Sequence, residues 1–241
     1  MLSLANLTVT VQSKKIIDGL NFDFEQGKVY ALMGPNGSGK SSLANAIAGH
    51  PSYILGRQSR IKFLHKNISE LSPDKRAKMG IFLAFQTPFA LSGVTVFQLL
   101  RLALSGIKDP LVVRNEIDEL TKELKIKKEL VTRSLNEGAS GGERKKMELL
   151  QAIVLGAKFL IFDEIDTGVD VDALKIIATH LNRIKKGKTI LLITHYNRIL
   201  KHIKPDRVLV MMKGKIVKRG DHKLASEIEE RGYQPYELSR S

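Results

Sequence analysis

The chain has 241 residues, 43% of them hydrophobic and 27% charged, which is enough apolar material for one sizeable globular domain and too much for wholesale disorder. It contains no cysteine, so a disulfide framework and thiolate-held zinc or iron–sulfur centres are excluded within the chain itself. The formal net charge is +14, but the cations are spread along the chain. Groups such as Arg144, Lys145 and Lys146 adjoin helical patterns, so a solvated surface is the expectation and a nucleic-acid partner is not.

Residues 1–11 alternate apolar and polar side chains and predict a strand; they lack the basic start and apolar block of a secretory leader. Short β-rich runs at 28–33, 159–162, 189–194 and 207–212 are bounded by glycine, proline or charge, as buried strands of a mostly parallel sheet would be. Residues 40–48 predict a helix directly after a glycine-rich loop. Residues 172–184 predict another, with Leu174, Ile177 and Leu181 as its apolar positions. This alternation gives an α/β class.

Residues 88–157 differ. The runs 99–104, 113–130 and 143–155 read as consecutive helices with no strand among them, and Ile117, Leu120 and Leu124 fall on one core-facing side of the second. The expected organisation is one domain over 1–241, with an α/β core from 1–87 and 158–241 and a helical subdomain inserted at 88–157. The apolar runs fall far short of the ~20 residues that a membrane helix needs, so direct membrane insertion is not expected and a cytoplasmic setting fits.

The chemistry concentrates after the second predicted strand. Gly34, Pro35, Asn36, Gly37, Ser38, Gly39, Lys40 and Ser41, followed by Ser42, read Gly-x4-Gly-Lys-Ser between a strand and a helix. Glycines there let backbone amides turn onto phosphates, the helix N-terminus adds positive potential, Lys40 reaches the β and γ oxygens, and Ser41 ligates magnesium. The implied cofactors are ATP and Mg2+. Asp163 and Glu164 end an apolar strand, where an open α/β sheet presents its ligand crevice. Asp163 is the candidate magnesium holder, and Glu164 the candidate base that orients the attacking water. His195 ends another strand at the same edge, within reach of a γ-phosphate. Ser140, Gly141, Gly142 and Glu143 crown a predicted helix as a second anion site, which one nucleotide does not need, so it points to the nucleotide of another subunit.

Taken together, residues 34–41, Gln86, residues 140–143, Asp163, Glu164, Asp170 and His195 stand in the order of the motifs of ABC-type ATPase cassettes, which the chain resembles over nearly its whole length. The resemblance implies a P-loop NTPase fold with an N-terminal antiparallel β portion, magnesium-dependent ATP hydrolysis, and a head-to-tail cassette dimer that sandwiches two ATP molecules. It assigns catalysis to Glu164, His195, Lys40 and Gln86, and the metal to Ser41, Gln86 and Asp163. Ser140, Gly141, Gly142, Glu143 and Asp170 would face the partner cassette's nucleotide.

Within the family the details look like the Suf-type ATPases of iron–sulfur cluster assembly. The relevant features are residues 165–170 after Glu164, Tyr196 after His195, residues 84–88, Gly93 with Val94, and residues 203–206. The implied partners are SufB-like and SufD-like scaffold proteins docking near Gln86, in a cytoplasm or a plastid stroma-like interior. The alternative is the ATPase subunit of a membrane transporter. Two positions depart from the wider pattern: Val11 stands where many cassettes stack an aromatic ring on adenine, and Glu143 where glutamine is commoner.

Overall fold

The structure is a computed structural model that describes every residue except 87, 89, 195–197 and 238–241. It begins with an antiparallel hairpin of β1 (Leu2–Val11) and β2 (Lys14–Phe24). Its two turn residues, Gln12 and Ser13, both sit at positive φ (47° and 62°), the geometry whose twist matches that of the strands. Next come β3 (Val29–Met33), α1 (Lys40–Ala48), β4 (Ile54–Leu55), β5 (Arg60–Phe63), β6 (Lys66–Asn67) and α2 (Pro73–Met79). β7 (Ile81–Ala84) is followed by four helices: α3 (Val96–Ala103), α4 (Pro110–Glu123), α5 (Lys128–Thr132) and α6 (Gly141–Val154). The chain returns through β8 (Phe159–Asp163), α7 (Val171–Ile184), β9 (Thr189–Ile193), β10 (Arg207–Met212) and β11 (Lys215–Gly220). It closes with α8 (Lys223–Arg231) and α9 (Gln234–Glu237).

These strands make two sheets. The first is antiparallel, in the order β2-β1-β5-β6 with β4 beside β1; the second runs β11-β10-β3-β9-β8-β7 and is parallel except where β10 meets β11. The second sheet is covered on both faces, which is why its strands read as unbroken apolar runs. Tyr30, Leu32, Phe159, Ile161, Leu191 and Ile193 pack toward α1 and the antiparallel sheet. The alternate residues, such as Val29, Ala31, Leu160, Phe162, Ile190 and Leu192, pack toward the helices of the other layer. Phe159 meets Phe24 and Phe63 edge-on at centroid distances of 5.3 and 6.4 Å, which locks the two sheets together.

One predicted element divides. The single helix expected over 113–130 is two, because Lys125 takes a left-handed φ of 50° and the Ile126 amide closes back on the Thr121 carbonyl at 2.9 Å. The apolar spacing hides the break, since Leu120, Leu124, Ile126 and Leu130 are all buried across it. α2, β5, β11 and α8 are additional to the elements drawn from the sequence pattern.

Candidate functional site

The glycine-rich loop leaves the carboxyl end of β3, which lies between β9 and β10, and opens α1. Its backbone needs glycine: Gly34 has φ 157°, and a Cβ there would lie 2.1 Å from the Met211 carbonyl oxygen. Gly39 caps α1 at φ 106° and, having no side chain, cannot accept the first amides of the helix, which open toward the cleft. The cleft has a volume of about 620 Å3, and Asn36, Gly37, Gly39, Lys40, Ser41 and Ser42 form one wall. Gln86, Glu164 and Thr167 form the opposite one.

Lys40 is only 5% exposed, and its ammonium donates to the carbonyls of Gly34 (2.8 Å) and Pro35 (3.0 Å). Burial lowers its pKa, and the charges of Asp163 and Glu164 act against that fall. Asp163 is 4% exposed; burial pushes its carboxyl up, with the Ser41 hydroxyl bonding to it in opposition. Among the described residues its Oδ1 has no hydrogen-bond partner, a costly state for a buried carboxylate unless a cation shares the site. A hydroxyl, a carboxylate and an amide oxygen from Ser41, Asp163 and Gln86 suit a hard divalent cation such as Mg2+.

Glu164 takes a left-handed φ of 52°, an uncommon backbone state for a non-glycine residue, with its amide donating to the Ile193 carbonyl at 2.9 Å. Its carboxylate accepts from Gln86 Nε2 at 2.6 Å and from the Thr167 hydroxyl at 3.4 Å. Two of the candidate catalytic groups therefore hold each other. His195 lies outside the described residues.

The residues expected to form a second anion site, Ser140, Gly141, Gly142, Glu143 and Asp170, stand apart, outside the lining of the cleft. Ser140 and Glu143 form a capping box on α6, with Ser140 N donating to Glu143 (2.9 Å) and Glu143 N donating to Ser140 (3.3 Å). The Ser140 amide, aided by Lys127, holds the Glu143 carboxyl down at about 2. Gly141 is pressed on residue 168, where a Cβ would come within 2.5 Å of the Gly168 carbonyl oxygen, and Asp170 caps α7 through the Ala173 amide (2.8 Å).

Several residues were not legible from motifs. Lys14 and Ile16 line the cleft from β2. The register passes from Thr10–Lys15 to Val9–Ile17, which makes Ile16 the extra residue of a bulge, 3.5 Å from the position of a Cβ on Gly39. The β10–β11 turn fixes that approach: Gly214 N donates to Ser38 O (2.8 Å), and a Gly214 Cβ would lie 2.1 Å from Ile16 O. Tyr233, beyond α8, accepts the Gly34 amide at 3.1 Å. Asp166, 2% exposed, accepts from Thr194 at 3.1 and 3.2 Å, while Arg198 donates to the carbonyls of Asp166 and Val169. These are contacts across long sequence separations, and no local spacing announces them.

A strand, a glycine loop and a helix at the centre of a parallel sheet, with two acids at the carboxyl end of β8, the next strand but one, define a P-loop nucleotide-binding domain. Residues 17–167 match the ABC transporter family, and the chain belongs to that family of ATP-binding cassettes, which hydrolyse ATP. It is 42% identical to a "probable ATP-dependent transporter ycf16" of Antithamnion sp., with 97% of this chain and 96% of the relative covered. It is 43% identical to a "probable ABC transporter ATP-binding protein" of Streptococcus pyogenes serotype M18, with 97% and 93% covered. A nucleotide-free ATP-binding cassette from an ABC transporter superposes with a TM-score of 0.79 at 26% identity, covering 100% of this chain and 99% of that one. A cassette solved as a dimer in a post-hydrolysis state with ADP and Pi shares the fold, with a TM-score of 0.79 at 19% identity over 92% of this chain and 99% of that one.

Proposed function

We propose that this ATPase is SufC-like: it drives conformational change in a soluble iron–sulfur cluster assembly scaffold built of SufB-like and SufD-like subunits. The observation that carries the reading is the segment from Ile165 to Asp170, whose sequence looks Suf-like and whose Asp166 is buried under the Thr194 hydroxyl, just before the Suf-like His195 and Tyr196 pair. Thr194, the residue before that pair, thus rests against one of the stretches that distinguish Suf ATPases from transporter cassettes.

The cleft residues divide the work of hydrolysis. Lys40 exchanges its two carbonyl partners for β and γ oxygens, and the amides that open α1 take the remaining phosphate charge. Ser41, Asp163 and Gln86 hold Mg2+, which when bound neutralises charge on the phosphate oxygens. Glu164 leaves Gln86, orients a water and takes its proton as the water oxygen bonds to the γ-phosphorus; the bond to the bridging oxygen breaks, and ADP and phosphate result. Ser140, Gly141, Gly142, Glu143 and Asp170 serve the nucleotide of a second, head-to-tail cassette, so ATP favours the dimer. His195 contacts the γ-phosphate.

Residues 88–157 act as the arm that receives the scaffold. An apolar groove of about 240 Å3 lies beside Gln86, lined by Phe82, Phe85, Pro88, Leu91, Leu99 and Leu135, with Phe85 45% exposed. It suits an amphipathic helix of a scaffold subunit. Among the described residues no helix is long and apolar enough to cross a membrane, and a cytoplasmic or stroma-like setting accords with the proposed partners.

The test is affinity purification of the tagged Glu164→Gln chain from its native cells with ATP present. Soluble scaffold proteins carrying cluster-ligand residues support the reading. Integral membrane proteins in their place would make the chain a transporter subunit.

A further inference from the structure

A buried ion pair on α6 reaches outside its own helix. Lys145 and Glu148 lie 3.2 Å apart with side chains 4% and 6% exposed, one turn from each other and one to two turns from Ser140 at the head of the helix. Both hydrogen-bond to one residue outside the helix. Lys145 Nζ donates to the Phe85 carbonyl, and Glu148 Oε1 accepts the Phe85 amide at 2.8 Å. Phe85 directly follows β7, the edge strand of the parallel sheet, and the next residue, Gln86, donates to Glu164 at 2.6 Å.

A buried charged pair is a weak source of stability, because desolvating both groups offsets their attraction. What the pair supplies here is geometry. It grips the amide and carbonyl of Phe85 from two directions, so the backbone leading into Gln86 cannot rotate without dislodging a buried charge. The same helix carries residues 140–143 at its head, one to two turns from the pair, so a displacement of α6 at Ser140 would reach the peptide before Gln86 through the same short stretch of helix.

We propose that Lys145 and Glu148 are positioning residues for ATP hydrolysis: acting through the Phe85 peptide, they set where Gln86 stands relative to Glu164 and the phosphate loop. Neither lines the phosphate cleft, although the Lys145 charge also acts on the buried Asp163 carboxyl. Losing them should therefore slow turnover and weaken the response to magnesium, with little effect on nucleotide binding.

The experiment is steady-state ATP hydrolysis by the full chain. The variants are Lys145→Met with Glu148→Leu, which removes both charges together and orphans neither, Glu148→Gln, which keeps an oxygen for the Phe85 amide, and Gln86→Ala. The paired variant should lose tenfold or more in kcat, keep KM for ATP within about threefold, and need more Mg2+ for half-maximal rate. Glu148→Gln should restore most of the rate. In a Gln86→Ala background the paired change should cost less than a further threefold, because the residue it acts through is already gone.

Losses that multiply fully in that background would overturn the proposal. So would a lowered Tm with kcat and magnesium response intact, which is the signature of a structural ion pair. If the paired variant does not fold, Lys145→Met alone, which removes the donor to the Phe85 carbonyl, is run through the same cycle and read by the same criteria.

Discussion

Arg76 offers a quantitative test of how the phosphate-loop helix is held from behind. It lies on α2, is 3% exposed, and no carboxylate pairs with it among the described residues. Its guanidinium donates instead to four carbonyls: Ala46 (2.8 Å) and Ile47 (2.9 Å) in the last turn of α1, and Leu71 (2.9 Å) and Ser69 (2.9 Å). Those carbonyls lie in the last turn, where helical amides run out; Ala46 also accepts the C-cap amide of Gly49 at 3.2 Å, and the cation complements the negative end of the helix dipole. Each such bond contributes about 1 kcal/mol net of lost hydration, and removing the buried charge recovers some desolvation cost. Arg76→Met should therefore lose about 3 kcal/mol. For a domain of this size that is about 6–12 °C in Tm. Arg76→Lys should fall between, since one ammonium cannot reproduce the planar fork. α1 is nine residues long, so Arg76 acts ~13 Å from the amides at its head, and ATP affinity at 20 °C should change less than about threefold. Differential scanning calorimetry and nucleotide titration read both quantities. A Tm for Arg76→Met within 2 °C of the parent would refute the reasoning.

Glu164→Gln should keep ATP binding, because glutamine can still accept from Gln86, and should lower turnover by about 10^2 to 10^4; near-normal turnover in a phosphate-release assay would remove Glu164 from its role. Glu143→Gln should leave Tm at neutral pH within about 2 °C, because glutamine completes the same capping box and loses only an exposed partner in Lys127. The parent's Glu143 carboxyl is held at about 2 against an ordinary 4.5. A depressed acid stabilises fully above its unfolded pKa, so this contribution should drain as pH falls from 4.5 toward 2, and should be missing from the acid limb of the Glu143→Gln melting curve. Phe159→Ala removes a ring with 0% exposure from between the two sheets and should cost about 3–5 kcal/mol, read as a lower urea midpoint at unchanged m.

The phosphate loop, the acid pair and the parallel sheet were legible because each rests on a local rule. Residues 34–41 need glycine where the chain turns, and a strand buried on both faces must be apolar throughout, as β8 and β9 are. The break at Lys125 was not legible, because its left-handed residue is not glycine and the apolar spacing continues across it. Nor was the grip of Lys145 and Glu148 on Phe85, since residues 60 and 63 positions apart are joined only by the fold. The same holds for Tyr233 on Gly34, 199 positions away.

The base end of the cleft is where sequence and structure together say most. Val11 occupies the position expected for a stacking ring and is not part of the cleft lining; the bulge on β2 brings Ile16 there instead, with Lys14 beside it. A sec-butyl side chain offers a purine an apolar ledge without π-stacking, so base recognition should be weak and triphosphate contacts should dominate affinity. Ile16→Tyr tests this directly. Stacking on an aromatic ring contributes about 1–3 kcal/mol per base, and ordering the larger side chain offsets part of that, so ATP should bind about three- to tenfold tighter. GTP should gain similarly, since either purine presents a π-face, while inorganic triphosphate, which has no base, should bind unchanged. Isothermal titration with the three ligands separates these cases. Unaltered ATP affinity in a variant of parental Tm would mean that the base lies elsewhere than on Ile16, and a matching gain for triphosphate would mean that the substitution had reshaped the phosphate loop through Gly39.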